Sequence, residues 1–206
     1  MTTRVKICGL STPDTVQAAI EAGADFIGFV FHKPSPRFVE IEVASYLSKF
    51  VPDSVKTVGL FVDPDDKTLR ETLENVRLDM IQLHGPETPE RVADIKAAFG
   101  KPVIKAMAIK DAADVGRIKD FEAIADWLLL DSSTGGTGKS FDWALLDGFK
   151  PSKPWMLAGG LTPNIVAGAI KRLKPNAVDV SSGVESARGV KDIAKIRAFI
   201  EKAKAE

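Results

Sequence analysis

The chain has 206 residues with 28 basic and 28 acidic side chains, and 45% of its residues are hydrophobic. This composition is typical of a soluble globular protein, and the charge balance argues against a nucleic-acid or anionic-membrane partner. One cysteine and two histidines exclude an internal disulfide and a multi-cysteine or histidine-rich metal site. Since no apolar run has the length of a signal peptide or membrane span, we expect a cytoplasmic protein of one domain, residues 1–206, without a metal.

Eight short apolar segments recur along the chain and are predicted to be β-strands. They are rich in Val, Ile, Leu and Phe, and they are continuous rather than alternating, which suits parallel strands covered on both faces. Their spacing averages about 25 residues, the length of one strand–helix unit. The segments are residues 5–8, 25–31, 57–62, 80–83, 102–108, 127–131, 155–158 and 177–180.

Helix signals lie between these segments. Helix starts are predicted where a threonine precedes a first-turn proline, at Thr12, Thr88 and Thr162. Gly23 and Gly100 are predicted to end the first and fourth helices. The helices near 111–119 and 142–146 are expected to be short, and residues 192–204 form an amphipathic closing helix.

Eight strand–helix units in one domain predict an α/β fold, a single-domain (β/α)₈ or TIM barrel. The alternative is an open, doubly wound sheet, which also alternates strand and helix. The dinucleotide fingerprint of that fold is missing, because Gly9 after the first segment is followed by Leu-Ser-Thr and not by a second glycine turn. We therefore favour the barrel.

A candidate acid–base pair lies at the ends of the first and sixth segments. Catalytic groups of a barrel lie at the carboxyl ends of strands, so Cys8 and Asp131 are placed to face each other across a substrate. A thiol must lose its proton to act as a base, so this role requires a lowered pKa of Cys8, for which Lys6 or a bound ligand is the candidate cause. Taken singly, Cys8 is equally compatible with an inert buried thiol, and Asp131 with a capping carboxylate.

Two glycine-containing turns follow the seventh and eighth segments, where phosphosugar barrels bind phosphate. Glycines allow a close approach of the backbone, and free amides at a helix start favour an anion. Such turns also occur without a ligand, but two at the right units predict a phosphate site. Its candidate residues are Gly159, Gly160, Ser181, Ser182 and Gly183.

Residues 135–139, Gly-Gly-Thr-Gly-Lys, resemble a P-loop only superficially. The spacing fails, since Ser133 stands where the motif requires its first glycine. We interpret this segment as an active-site loop and not as a nucleotide site.

Three further polar residues are placed at the same end of the barrel. Arg37 follows a loop stiffened by Pro34 and Pro36, from which it can pair with a carboxylate or stack on a ring. His84 ends the fourth segment and is expected to shape the pocket. Asp179 lies inside the last segment, where an ionised carboxylate must be bonded, so we expect it near the barrel mouth.

At these residues the chain resembles the phosphoribosylanthranilate isomerase family. The matching segments run in order from residue 5 to about residue 185, and the first, second and last are quite specific. They read Val5-Lys-Ile-Cys-Gly-Leu, Gly28-Phe-Val-Phe-His-Lys-Pro-Ser-Pro-Arg-Phe and Val178-Asp-Val-Ser-Ser-Gly-Val-Glu. Shorter matches lie at residues 58–62, 81–85, 130–132, 135–139 and 157–161.

The resemblance implies the Amadori rearrangement of a phosphosugar, N-(5-phospho-β-D-ribosyl)anthranilate, in tryptophan biosynthesis. Asp131 matches the acid that opens the ribose ring, and Cys8 matches the base that takes the C2 proton. Arg37 matches the residue that contacts anthranilate, and His84 and Asp179 are placed near the substrate. The five glycine and serine residues above match the phosphate cradle. Proton transfers suffice for this reaction, so no cofactor is expected, and the family implies a monomer or homodimer.

Other phosphate-binding barrels are the competing hypotheses. The pentulose-phosphate epimerases of this fold are expected to bind a metal through two histidines and two acidic residues. This chain has only two histidines, His84 and His32, and His32 lies in a loop. By resemblance, the related histidine-pathway isomerase has an aspartate where this chain has Cys8. Indole-glycerol-phosphate synthase uses strand lysines as acids, for which Lys105 is the candidate in this chain. A non-catalytic phosphoanion-binding barrel would leave Cys8 and Asp131 without a purpose.

Overall fold

The computed structural model describes residues 2–132 and 142–206, and all eight predicted segments form strands in it. The strands are β1 Arg4–Cys8, β2 Phe26–Val30, β3 Lys56–Phe61, β4 Met80–Leu83, β5 Val103–Ile109, β6 Trp127–Ser132, β7 Trp155–Leu157 and β8 Ala177–Val180. Each strand pairs in parallel with the next, and β8 pairs with β1, which closes the barrel. The predicted (β/α)₈ barrel is confirmed, and the open sheet is wrong.

Helices cover the outside of the barrel between the strands. They are α1 Pro13–Ala22, α2 Ile41–Ser48, α3 Asp66–Asn75, α4 Pro89–Phe99, α5 Ala112–Arg117, α6 Lys119–Glu122, α7 Val166–Leu173 and α8 Ile193–Lys204. As predicted, the fifth interval holds only the short α5 and α6, and a 3₁₀ turn at Trp143–Leu146 stands in the sixth. A second 3₁₀ turn, Ser182–Val184, and the hairpin of β9 Glu185–Ala187 and β10 Val190–Lys191 precede α8.

The helix boundaries follow the predicted caps with one exception. Thr12 and Thr88 accept N-cap hydrogen bonds through their hydroxyls, and Gly23 and Gly100 end their helices in the left-handed conformation. The start predicted at Thr162 is wrong, because α7 begins at Val166. Here the carbonyl of Thr162, and not its hydroxyl, accepts the N–H groups of the following turn.

The strand register divides the core into two layers. One apolar cluster, which includes Phe26, Val58 and Leu129, fills the inside of the barrel, and a larger cluster lies between the strands and the helices. Side chains alternate along a strand, so residues two positions beyond the inward layer also point into the barrel. In the described parts of the chain, no helix is long and apolar enough to cross a membrane.

The amino ends of the strands are tied by one contact that repeats four times. The residue before each even-numbered strand accepts, through its side chain, an N–H from the start of the preceding strand. The pairs are Val5 N–Asp25 Oδ2 at 2.7 Å, Thr57 N–Asp79 Oδ2 at 2.8 Å, Val103 N–Asp126 Oδ2 at 2.8 Å and Trp155 N–Asn176 Oδ1 at 3.0 Å. The backbone N–H of each acceptor residue donates in return to the carbonyl of its partner, which closes a reciprocal pair.

Candidate active site

A cavity of about 580 Å³ opens at the carboxyl ends of the strands. One wall is apolar and includes Val30, Leu60 and Val62, and the prolines of the loop after β2 form part of the rim. Six predicted site residues line this cavity, namely Cys8, Arg37, His84, Asp131, Asp179 and Ser181. Residues up to 173 positions apart in the chain therefore meet around one space that is open to a ligand, as the barrel topology requires.

Cys8 and Asp131 reach the cavity because of the strand register. Cys8 is the register partner of Gly28, and Gly28 lies two positions after Phe26, whose side chain points into the barrel. Asp131 lies two positions after Leu129, whose side chain also points into the barrel. Both side chains therefore belong to the uppermost inward layer of the barrel, on strands far apart around the ring. Both residues are nevertheless largely buried, with exposed fractions of 3% and 9%.

Lys6 and Asp179 form an ion pair directly below Cys8. They are register partners on β1 and β8, and Lys6 Nζ lies 2.7 Å from Asp179 Oδ1. Burial alone would lower the pKa of Lys6, but the Asp179 carboxylate and the Cys8 sulfur outweigh it and raise that pKa above its ordinary value. Asp179 is thus bonded and lines the cavity, as predicted for a carboxylate inside a strand.

The pKa of the Cys8 thiol is raised and not lowered in the ligand-free protein. Burial is the main cause, and the Asp179 carboxylate adds to it. Lys6 and Lys191 act in the opposite direction, so Lys6 has the expected sign, but its effect is smaller than that of burial. With its pKa raised, Cys8 holds its proton at neutral pH in the resting site.

Asp131 is contacted by a chain of side chains on β4 and the loop after it. His84 Nε2 lies 3.3 Å from Asp131 Oδ2, and Gln82 Nε2 lies 2.9 Å from His84 Nδ1. The Gln82 amide nitrogen can only donate, so Nδ1 is the acceptor of this contact, and Nε2 is the ring nitrogen that faces Asp131. Gln82 was not singled out in the sequence, although a polar residue inside a buried strand needs such a partner.

Arg37 is already paired with a carboxylate of the protein itself. Its Nε and Nη2 donate to Glu185 at 2.6 and 3.0 Å, and Glu185 also accepts from Gly189 N and Lys191 Nζ. Burial acts to raise the pKa of Glu185, but these bonds outweigh it and lower the pKa to about 2. The Glu185–Arg37 pair therefore stays ionised, and Nη1 is the nitrogen of Arg37 that the pair does not use.

Glu185 and Lys191 were not recognised in the sequence as members of the site. Glu185 closes the Ser-Ser-Gly-Val-Glu motif, which is the one signal that pointed to it. Lys191 is 1% exposed and bonds to the carbonyl and the hydroxyl of Ser181, and burial lowers its pKa despite the neighbouring Glu185. Both residues come from the β9–β10 hairpin, which has no counterpart in the strand–helix pattern.

The predicted phosphate residues adjoin one another after β7 and β8. Gly159 and Gly160 both have a left-handed backbone conformation, with φ of 83° and 66°, which residues other than glycine rarely adopt. A Cβ at Gly183 would overlap the carbonyl oxygen of Leu161, so only glycine lets the two turns touch. Ser182 begins the 3₁₀ turn that follows β8.

Ser181 differs from the other four phosphate candidates in its contacts. Its hydroxyl donates to the carbonyl of Cys8 and accepts from Lys191, so it ties β8 to β1. The predicted active-site loop at 135–139 lies outside the described residues. Within residues 2–132 and 142–206, no three His, Cys, Asp or Glu side chains are grouped as metal ligands.

Comparisons with known proteins agree with this arrangement. A sequence model of the family described as N-(5'-phosphoribosyl)anthranilate (PRA) isomerase matches residues 5–202. The N-(5'-phosphoribosyl)anthranilate isomerase of Paramagnetospirillum magneticum is 52% identical, over 99% of this chain and 98% of that protein. The chain belongs to the N-(5'-phosphoribosyl)anthranilate isomerase family. It is therefore an isomerase, as the resemblance of its motifs predicted.

Solved structures of this isomerase family have the same fold. The phosphoribosylanthranilate isomerase of Thermotoga maritima superposes with a TM-score of 0.91 at 38% identity, over 99% of this chain and all of that one. Another phosphoribosylanthranilate isomerase structure, in complex with reduced 1-(o-carboxyphenylamino)-1-deoxyribulose 5-phosphate, has a TM-score of 0.86 at 36% identity, over 99% of this chain and 100% of that one. The 3-hexulose-6-phosphate synthase of Salmonella typhimurium is only 17% identical and shares the fold alone.

Proposed function

We propose that Asp131 and Cys8 are the general acid and the general base in the isomerisation of N-(5'-phosphoribosyl)anthranilate. The observation that carries this proposal is their position in the uppermost inward layer of the barrel, on opposite sides of one cavity. The product is 1-(2-carboxyphenylamino)-1-deoxy-D-ribulose 5-phosphate, an intermediate of tryptophan biosynthesis. Two proton-handling groups at fixed positions suffice for this aldose–ketose conversion, without a cofactor or metal.

The reaction is an internal redox change in which atoms and electrons balance. Asp131, as the acid, gives a proton to the furanose ring oxygen, and the C1–O bond breaks while the anilino nitrogen forms a C1=N bond. The Cys8 thiolate then takes the C2 proton, and the electrons of the C–H bond form C1=C2 and neutralise the nitrogen. The resulting enolamine gains a proton at C1 and loses the hydroxyl proton at C2, which yields the ketone. C1 is reduced and C2 is oxidised.

The remaining candidates are assigned to binding and orientation. Arg37 contacts the anthranilate group through the part of its guanidinium that Glu185 does not use. His84 lies against Asp131 and so orients the acid, and Asp179 borders the bound ribose. Gly159, Gly160, Ser181, Ser182 and Gly183 form the phosphate cradle, in which Ser181 acts mainly by fixing the two strands.

We also propose that the protein acts in the cytoplasm, as a monomer or a homodimer. Both states occur in a relative, since the phosphoribosylanthranilate isomerase of Thermotoga maritima is described as dimeric and has also been crystallised as generated monomers. The binding partner that we propose for the active site is the small phosphosugar substrate.

The test is the loss of anthranilate-type fluorescence when the protein meets freshly generated phosphoribosylanthranilate in the presence of a chelator. We expect Asp131→Asn and Cys8→Ser each to reduce kcat by about 10²–10⁴-fold or more, because each removes one proton transfer. Asp126→Asn is the matched control, since it alters a carboxylate at the other end of the same barrel and should leave kcat unchanged. If Cys8→Ala kept full turnover, Cys8 would not be the base.

A further inference from the structure

Lys6 is a charged residue at the centre of the barrel that the mechanism above does not use. Its side chain is 0% exposed, and it is among the largest fully buried side chains in the part of the chain that the structure describes. A buried ammonium group is costly, and it is tolerated only where an anion compensates it. Asp179, with 9% of its side chain exposed, is one such anion.

The second neighbour of the Lys6 ammonium is the Cys8 sulfur. Both lie beside Gly28 on β2, where an added Cβ would come within 2.9 Å of Cys8 Sγ and 3.2 Å of Lys6 Nζ. The absence of a side chain at Gly28 therefore leaves room for the sulfur and the ammonium group to meet. One cation thus bonds to the carboxylate of Asp179 and interacts electrostatically with the neighbouring Cys8.

A base at this position needs such a cation. The thiolate form of Cys8 would be an anion in a site from which water is largely excluded, next to the negative charge of Asp179. The charged groups that face Cys8 are Lys6 on its own strand, Asp179 on β8 and Lys191 on the β9–β10 hairpin, and Lys191 is already bonded to Glu185. Lys6 is the cation closest at hand when the thiol loses its proton.

We propose that Lys6 is a positioning residue whose ammonium group is the counter-ion of the Cys8 thiolate, and that Asp179 competes with the thiolate for it. This rests on the proposed role of Cys8 as the base. Proton loss then moves the hydrogen bond of Lys6 from Asp179 towards Cys8, and no bond other than S–H is broken. Lys6 therefore favours the thiolate form of Cys8, and Asp179 disfavours it.

The experiment follows the thiolate directly, by its absorbance near 240 nm as a function of pH in the ligand-free protein. Cys8 is the single cysteine of the chain, so the signal has one source, and subtraction of the Cys8→Ser variant removes the ionisation of the single tyrosine, Tyr46. We expect Lys6→Met to move the midpoint to higher pH, because the counter-ion is lost. We expect Asp179→Asn to move it to lower pH, because the competing anion is lost.

The control is Lys204→Met, which removes the lysine of a 2.6 Å Lys–Asp pair at the other end of the barrel. It should leave the midpoint unchanged. If Lys6→Met does not fold, Asp179→Asn still decides, because a midpoint that stays or rises in that variant overturns the proposal. An unchanged midpoint in a folded Lys6→Met variant also overturns it.

The rate of isomerisation separates this proposal from the proposed function. The acidic limb of the kcat/KM profile should move with the thiolate midpoint in each variant, and Lys6→Met should lose about ten- to a hundredfold of its rate at neutral pH. If the midpoints move as expected while the rate profile does not, Lys6 is the counter-ion but Cys8 is not the base. If neither moves, the counter-ion role itself is wrong.

Discussion

The two ends of the barrel use aspartate and lysine in different ways. At the amino end, Asp25, Asp79 and Asp126 repeat one hydrogen bond to a strand N–H, and Asn176 supplies the fourth copy. At the carboxyl end, the polar contacts do not repeat: Lys6 pairs with Asp179, Arg37 pairs with Glu185, and His84 lies against Asp131. Repetition around the ring therefore marks groups that hold the strands together, whereas convergence on one cavity marks groups that act on a ligand.

The lysine–aspartate pairs show the same contrast in their solvent exposure. Lys96–Asp126 at the amino end is 2.7 Å long with both side chains about a third exposed, at 38% and 34%. Lys6–Asp179 near the cavity has the same length but is 0% and 9% exposed. The outer pair can be replaced by water, whereas the loss of either member of the inner pair leaves a charge that water does not reach.

Among the variants that distinguish the two ends of the barrel, Glu185→Ala is expected to have the largest effect. This change removes the acceptor of Arg37 and Lys191, and the arginine that we propose to contact anthranilate is then no longer held in place. A hydrogen bond to a charged group contributes about 1.5–3 kcal/mol, so we expect KM to rise about ten- to a hundredfold. Steady-state kinetics would measure it.

The matched control is Glu21→Ala, which removes the carboxylate of the surface pair with Arg197. KM should not change in that variant. If Glu185→Ala lowered kcat and left KM as it is, Glu185 would serve the chemical step and not the placement of Arg37.

A smaller effect, on stability alone, is expected at the amino end for Asp126→Ala. The N–H of Val103 loses its acceptor, and the free energy of unfolding should fall by about 1–3 kcal/mol while kcat stays unchanged. Urea denaturation and the fluorescence assay on the same preparation measure the two quantities. Loss of kcat in a folded Asp126→Ala variant would contradict the division between the two ends.

The smallest effect is expected in the acid range and belongs to Glu185. Its pKa is about 2 in the folded protein, against 4.5 as the ordinary value, so its ionisation stabilises the fold above pH 4.5. This contribution is lost as the pH falls from 4.5 towards 2, because the unfolded state then binds a proton that the folded state does not. Urea unfolding between pH 5 and 2.5 should show a shallower decline for Glu185→Gln than for the unchanged protein. Parallel declines would contradict it.

Local sequence patterns predicted the fold, because apolar segments indicate the strands and cap residues indicate most helix ends, and both are short-range features of the chain. The strand ends then indicated Cys8 and Asp131, since the barrel alone dictates where strand ends point. The start at Thr162 was wrong because a Thr-Pro pair also fits an irregular turn.

The partners within the site could not be predicted in the same way. Lys6 meets Asp179 at a separation of 173 residues, and Arg37 meets Glu185 at 148. No local pattern contains such pairs, although a charged residue inside an apolar strand indicates that an oppositely charged partner lies nearby. The balance between burial and Lys6 at the Cys8 thiol depends on this three-dimensional packing, and so the sequence did not decide the resting protonation state of Cys8.

The repeated contact at the amino ends also divides the chain into quarters. Each of the four bonds joins residues only 20 to 23 positions apart, and each lies within one pair of successive strands. A chain break placed between two such pairs, for example after α2, cuts none of the four bonds, whereas a break within a pair separates the donor from its acceptor. The barrel is thus a ring of four short-range modules, and its natural seams for circular permutation lie between them.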